Sequence, residues 1–520
     1  MSRKDAVSST NHSPTYLPHV AKGASINLFG AASRAILLYG YTFLLARTLP
    51  AKNLGQFFIM FSLISIMGPV ATVGLDSGVV RYVALLGGEK KYGQARKLLN
   101  AAVLLGIFTG VTAAILIILF SSTITNIFLD QSLATRWLLC VFAIYIPFWV
   151  IAQLFNSATQ GMHHMEYRVY SRDIGEQFAK FIFSFLAIAL GAGLAGVIWA
   201  NVVSMVLAAG ASLWFVMLTL PKVREQPGLG LSQLKTRQAR RMFRFSFPLA
   251  FSNIIGMILL YIDLLLLGHL GTSSDAAYYG TALRLILGSQ AILAAFATVF
   301  APVISELYSK KLFPELESLF KTVSRWIFVF NFPIFLIFTF MAGPLMHVFG
   351  SGFGAGSGAL TVLALGQLVN FGTGTAGLMV LMSGRSKVEL LNVIVALVSN
   401  ISLCLLLIPG YGIVGAAIAN AAGISIINLM RVLEVRLFLR MHAYDGHYAK
   451  PLLAGLSGIL VVLLVNKLLN MGVGTVGLAV SIILLIISYF VIILTFGLNE
   501  ADKVVLNLVK GRLSGVIPQV

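Results

Sequence analysis

Five ionisable residues stand inside otherwise apolar stretches of the chain: Arg34, Asp76, Arg81, Asp263 and Arg284. A charge in such surroundings is expensive unless it faces water, a ligand or a partner, so each is a functional candidate by default. Arg34 falls roughly ten residues, or about 15 Å of helix, into its stretch, too deep to reach an interface easily. Asn27, Arg34 and Tyr41 recur at seven-residue spacing and share one helical face. Arg284 shares a stripe with Thr281, Gly288, Ala291 and Ala295, a small-residue side of the kind that borders a cavity or another helix. Arg81 lies on the side of Gly74, Ser77 and Gly78 but near the basic end of its stretch. Cavity lining and snorkelling to headgroups both remain open for it.

The two acids raise different questions. Asp76 and Arg81 are five positions apart, about 140° around a helix, so each needs a partner elsewhere. Asp263 aligns with Ser252 and Gly256. It suits either an ion pair with Arg284 or a coupling proton or cation. Lys180 and Arg431 lie near span ends, where snorkelling is expected, and Gln367, Asn370 and Gly374 form a face suited to interhelical hydrogen bonds. Cations dominate the deep set, and an arginine-lined cavity favours an anion, above all phosphate, through the bidentate guanidinium fork.

The elements that carry these residues are membrane helices. The chain has 520 residues, 58% hydrophobic and 11% charged, against about 25% charged in soluble domains. It lacks the polar surface of a water-exposed globule. The net charge of +19 sits mostly in short connectors, which does not suit a nucleic-acid-binding face. A core about 30 Å thick needs roughly 20 apolar residues per crossing. That window gives an all-α protein of about fourteen spans, near 24–47, 55–86, 99–120, 136–160, 173–193, 195–218, 245–268, 276–302, 324–349, 358–383, 389–408, 412–437, 450–467 and 474–498.

Every second connector is basic: 87–98, 161–172, 219–244, 303–323, 384–388 and 438–449. Lys and Arg resist translocation, so these connectors and both termini are expected in the cytoplasm. The organisation expected is a tail (1–23), an N-lobe of six spans (24–218), a linker (219–244) and a C-lobe of six spans (245–437). Two further spans (450–498) and an interfacial tail (499–520) complete it. Six spans return the chain to its starting side, so the lobes would be parallel repeats. "LLYGYTFLLA" (37–46) against "LLYIDLLLLG" (259–268), and "ATV" at 71–73 and 297–299, give that repeat a faint echo.

Four local patterns carry a family likeness: "LARTLPAKNLGQFF" (45–58), "GLDSGVVRYVA" (74–84), "LMHVFGSGFGAGSGAL" (345–360) and "LLIPGYGIVGAAIANAAG" (406–423). With the fourteen-span layout, they make the chain resemble the polysaccharide transporter family, the O-antigen-type flippases of the multidrug/oligosaccharidyl-lipid/polysaccharide exporter superfamily. The resemblance implies translocation of a polyprenyl-diphosphate-linked oligosaccharide across the bacterial cytoplasmic membrane for cell-surface polysaccharide. Related lipid II flippases also carry arginines in the first, second and eighth spans. Their own placement in apolar stretches makes Arg34, Arg81 and Arg284 the expected substrate-binding cations and Asp76 and Asp263 the expected coupling or ion-pair groups. Membrane lipids, a polymerase and glycosyltransferases are the partners expected, and helices thirteen and fourteen would offer a groove for the lipid tail.

Other chemistry finds little footing. No Walker motif or nucleophile constellation appears, and "GMHHMEYR" (161–168) lacks the spacing of a metalloprotease helix, so no catalytic residue, metal or cofactor is expected. A cation-coupled multidrug exporter of the same superfamily is the rival reading. Such exporters usually place acids in the first lobe, where this chain places Arg34. A membrane sugar-transfer enzyme would need a large outer loop, and the outer connectors are short.

Overall fold

The computed structural model describes residues 17–129, 132–219, 236–468, 474–495 and 497, with side chains from 29 in the first helix and from 251 in the helix that begins at 236. The expected interfacial tail, the centre of the 219–244 linker and the side chain of Asn27 lie outside the described residues. Within them the chain is helical, with no strand.

The helices run α1 (Leu17–Thr48), α2 (Ala51–Thr72), α3 (Leu75–Gly88), α4 (Tyr92–Leu119) and α5 (Ser121–Phe128). Then come α6 (Leu133–Ala143), α7 (Tyr145–Gly161), the short α8 (Glu166–Arg168), a π-helix (Val169–Glu176), α9 (Gln177–Ala189) and α10 (Gly193–Thr219). Past residue 235, inside the expected linker, begins α11 (Thr236–Leu270), and α12 (Ser273–Ser289), α13 (Ala291–Ser309), α14 (Phe313–Phe340) and α15 (Ala342–His347) follow. The last are α16 (Ser357–Thr373), α17 (Ala376–Met382), α18 (Ser386–Glu434), α19 (Ala449–Leu468) and α20 (Thr475–Thr495).

Twelve stretches among the described residues are long and apolar enough to cross a bilayer. One of them, Ser386–Leu439, is 54 residues long, about 80 Å of helix and far more than one crossing needs. It breaks at Gly412, whose φ of 51° and ψ of −126° are not helical, three residues after Pro409. The expected eleventh and twelfth spans are therefore two helices meeting at that break. The expected fifth span corresponds to α8, the π-helix and α9 end to end. The second span is also broken: Pro69 lies in α2, and Val73 and Gly74 take left-handed backbone before α3 begins.

The outer surface is apolar. Phe108, Leu119, Trp214, Leu406 and Leu460 are each more than half exposed. In water such a surface would aggregate, whereas in a bilayer it is the solvated face. The chain is a polytopic membrane protein. Helices of the first 219 residues meet helices that follow residue 235: α2 packs on α11 and α12, and α1 packs on α12 and α13. Arg47 Nε donates to the Val348 carbonyl at 2.7 Å, and Phe43 meets Phe349 edge-on, closing one end of this junction. Helices α19 and α20 pack mainly on each other and touch α14.

Candidate functional site

A cavity of about 420 Å³ opens where α1, α2, α9 and α10 face α11, α12 and α13. Its wall carries three cations, Arg34, Lys180 and Arg284, and no carboxylate among the described residues. Tyr41, Asn201, Gln177, Tyr261 and Gln290 add neutral polar groups.

Arg34 and Tyr41 reach this wall together, from the α1 face that their spacing defines. Arg34 is half exposed and only loosely held by Asp173 at 3.5 Å. Arg284 is buried at 8% exposure, with its guanidinium 3.6 Å from the centroid of the Phe58 ring. Gly288 and Ala291 of its small-residue stripe line the same cavity. No described carboxylate lies within ion-pair distance of Arg284. The aromatic face recovers part of the cost of desolvating the cation.

Asp263 does not pair with Arg284. It is fully buried and accepts from the Tyr279 hydroxyl, from Asn420 Nδ2 at 2.6 Å and from the Leu264 backbone N–H at 2.8 Å. Tyr279 and Arg284 are five positions apart on α12, about 140° around the helix, so the side that meets Asp263 turns Arg284 away. Arg81 is exposed and lies outside the cavity wall. Asp76 accepts from Gln153 Nε2 of α7 at 3.4 Å, a partner on another helix.

Lys180 departs from its expected snorkelling position. It is buried at 4% exposure, and its Nζ stands 2.5 Å from Glu176 Oε1. Tyr145 donates to the same carboxylate at 2.8 Å, and Arg172 Nε approaches Glu176 Oε2 at 3.3 Å. Arg172 also donates to Gln153 Oε1 at 2.8 Å, which joins Asp76 to this network. The π-helix sets these positions. Gly175 lets the Tyr170 carbonyl pass where a Cβ would meet it at 2.6 Å, five residues along. Such wide turns often mark functional sites. Glu176 and Lys180 are four apart, so the pair could have been found from its spacing. The basic connector just before it made Lys180 look interfacial instead.

Outside the cavity, Arg431 is tied to Glu389 through Nη2 and through Nε at 3.1 Å instead of snorkelling. Asn370 donates to Gln367 of its own helix at 2.9 Å, so this pair does not bridge helices. Thr373 and Asn428 make a cross-helix contact of that kind at 3.4 Å.

Residues 20–308, more than half of the chain, match the family described as polysaccharide biosynthesis protein. The chain belongs to that family. A Shigella flexneri protein provisionally named an O-antigen transporter is 24% identical over 412 residues, 77% of this chain and 94% of that one. A Haloferax volcanii protein provisionally named a low-salt glycan biosynthesis flippase is 25% identical over 408 residues, 77% of this chain and 79% of that one. In fold, the chain is similar to the lipid II flippase MurJ in an inward closed conformation. The TM-score is 0.67 at 16% identity, covering 93% of this chain and 99% of MurJ. An inward-facing multidrug resistance MATE transporter of the MOP superfamily gives a TM-score of 0.68 at 15% identity, covering 80% and 98%. The chain shares the fold of these two transporters.

Proposed function

We propose that this protein is a flippase that moves a polyprenyl-diphosphate-linked oligosaccharide across the cytoplasmic membrane for cell-surface polysaccharide assembly. One observation carries the reading: a cavity wall with Arg34, Lys180 and Arg284 and no described carboxylate. Such a wall selects an anion, and a diphosphate offers the forked oxygens that guanidinium groups grip best. Family membership and the names of the Shigella and Haloferax relatives support the glycan part of the reading.

In this account the helices before and after the linker are two lobes of six spans each that rock about the cavity, with both termini cytoplasmic. The diphosphate binds between the lobes while the tail remains in the bilayer. A second hollow, of about 250 Å³ and lined by Phe340, Pro344, Val462, Leu478 and Leu485, would take part of that tail beside α19 and α20. Polymerase and glycosyltransferases would supply and consume the cargo on opposite faces. The test is reconstitution in liposomes carrying a fluorescent diphosphate-linked oligosaccharide. The protein should bring the inner-leaflet probe within reach of an external quencher, and Arg284→Ala should not. Efflux of cationic dyes with no movement of the glycan probe would replace this reading with drug export.

A further inference from the structure

We propose that Lys180 is a third cation for the diphosphate, masked by Glu176 in the empty cavity and released when the anion arrives. The proposal rests on the anionic-substrate reading above. Breaking a buried ion pair is normally costly, because one charge is left bare. Here each oxygen of Glu176 keeps a donor after Lys180 leaves: Tyr145 on Oε1 at 2.8 Å and Arg172 on Oε2 at 3.3 Å. Lys180 in turn has somewhere to go. Its Nζ lies 5.7 Å from the centroid of Phe61, which lines the same cavity, and a lysine's flexible stem can swing a compact charge toward it.

The three wall cations therefore differ in readiness. Arg284 faces the cavity without a carboxylate, Arg34 is loosely held at 3.5 Å, and Lys180 is neutralised at 2.5 Å. An empty cavity is spared a third bare charge, and a ligand bearing several negative charges gains it. Arg172 does not line the cavity and acts as a positioning residue, holding Glu176 in place when Lys180 departs.

The test titrates the full-length protein in nanodiscs with farnesyl diphosphate at fixed ionic strength, by calorimetry. Glu176→Gln unmasks Lys180 and should tighten binding, and Lys180→Gln should weaken it, each by about tenfold. The double variant should bind as weakly as Lys180→Gln alone, because the gain acts only through Lys180. A double variant that returns to wild-type affinity would mean simple long-range electrostatics and overturn the proposal. Arg172→Gln should weaken binding, yet Glu176→Gln/Arg172→Gln should bind as tightly as Glu176→Gln alone. That pair keeps Lys180 intact and decides the matter even if Lys180→Gln does not fold. Arg284→Gln separates the two levels of the argument. If it binds like wild type, the anion-binding cavity itself is wrong; if it loses binding while Glu176→Gln changes nothing, only the masking is wrong.

Discussion

Arg284→Met should make the empty protein more stable while destroying its function. Arg284 is buried and has no described carboxylate in reach; its main compensation is the Phe58 face at 3.6 Å. That contact contributes about 1–2 kcal/mol. Replacing even a buried ion pair by apolar side chains of similar volume is often neutral or gains about 1–4 kcal/mol, and an unpaired cation has less attraction to lose. Set against the lost aromatic contact, the balance favours Met by about 1 kcal/mol. Arg431→Met supplies the contrast, because Arg431 is paired with Glu389 at side-chain exposures of 20% and 13%. Its loss leaves a carboxylate without its cation and should cost about 3 kcal/mol, at the lower end for a pair that is not fully buried. Both are read from reversible unfolding in SDS titrations of the purified protein in mixed micelles. A destabilised Arg284→Met, resembling Arg431→Met, would show that Arg284 is a packed structural cation, and the argument for a ligand-facing charge would fail.

Two further outcomes follow from the same reasoning. Cysteines placed at positions 230, 50 and 354 should react with impermeant maleimide from the cytoplasmic side for the first and from the outer side for the other two; labelling of 230 from outside would reverse the expected orientation. Asp263→Asn should cost about 1–3 kcal/mol and lower membrane abundance, because an amide offers only one acceptor oxygen to the three donors around Asp263. Normal stability with transport that no longer follows an ion gradient would instead make Asp263 the coupling group.

The fold class was legible in the sequence because a bilayer imposes a length and a polarity on each crossing, and the basic connectors punctuate the crossings. What composition does not encode is where a crossing breaks. The interruptions at Val73 and Gly74 and at Gly412 depend on backbone conformation that apolar windows average away. Helical spacing placed Arg34 with Tyr41, and Arg284 with a small-residue stripe, on one face each, and those faces line the cavity; spacing did not say whether a cavity or another helix lay opposite. The partners of Asp263 were not, because Asn420 is 157 positions distant and pairs with it through packing of α11 on α18. Lys180 was misread for a related reason. Proximity to a basic connector suggests an interface, whereas the π-helix and the Tyr145 hydroxyl turn Lys180 inward.

The central claim, that the cavity grips a diphosphate through its arginines, is tested most directly by glycan export in a strain lacking the gene, complemented with Arg34 and Arg284 variants at matched membrane levels. The account predicts that Lys at either position retains partial export, since the charge survives and the bidentate fork is lost. Ala should lose export, and Glu should abolish it by repelling the substrate. Normal export by both Arg34→Ala and Arg284→Ala, with the protein at wild-type abundance, would contradict it.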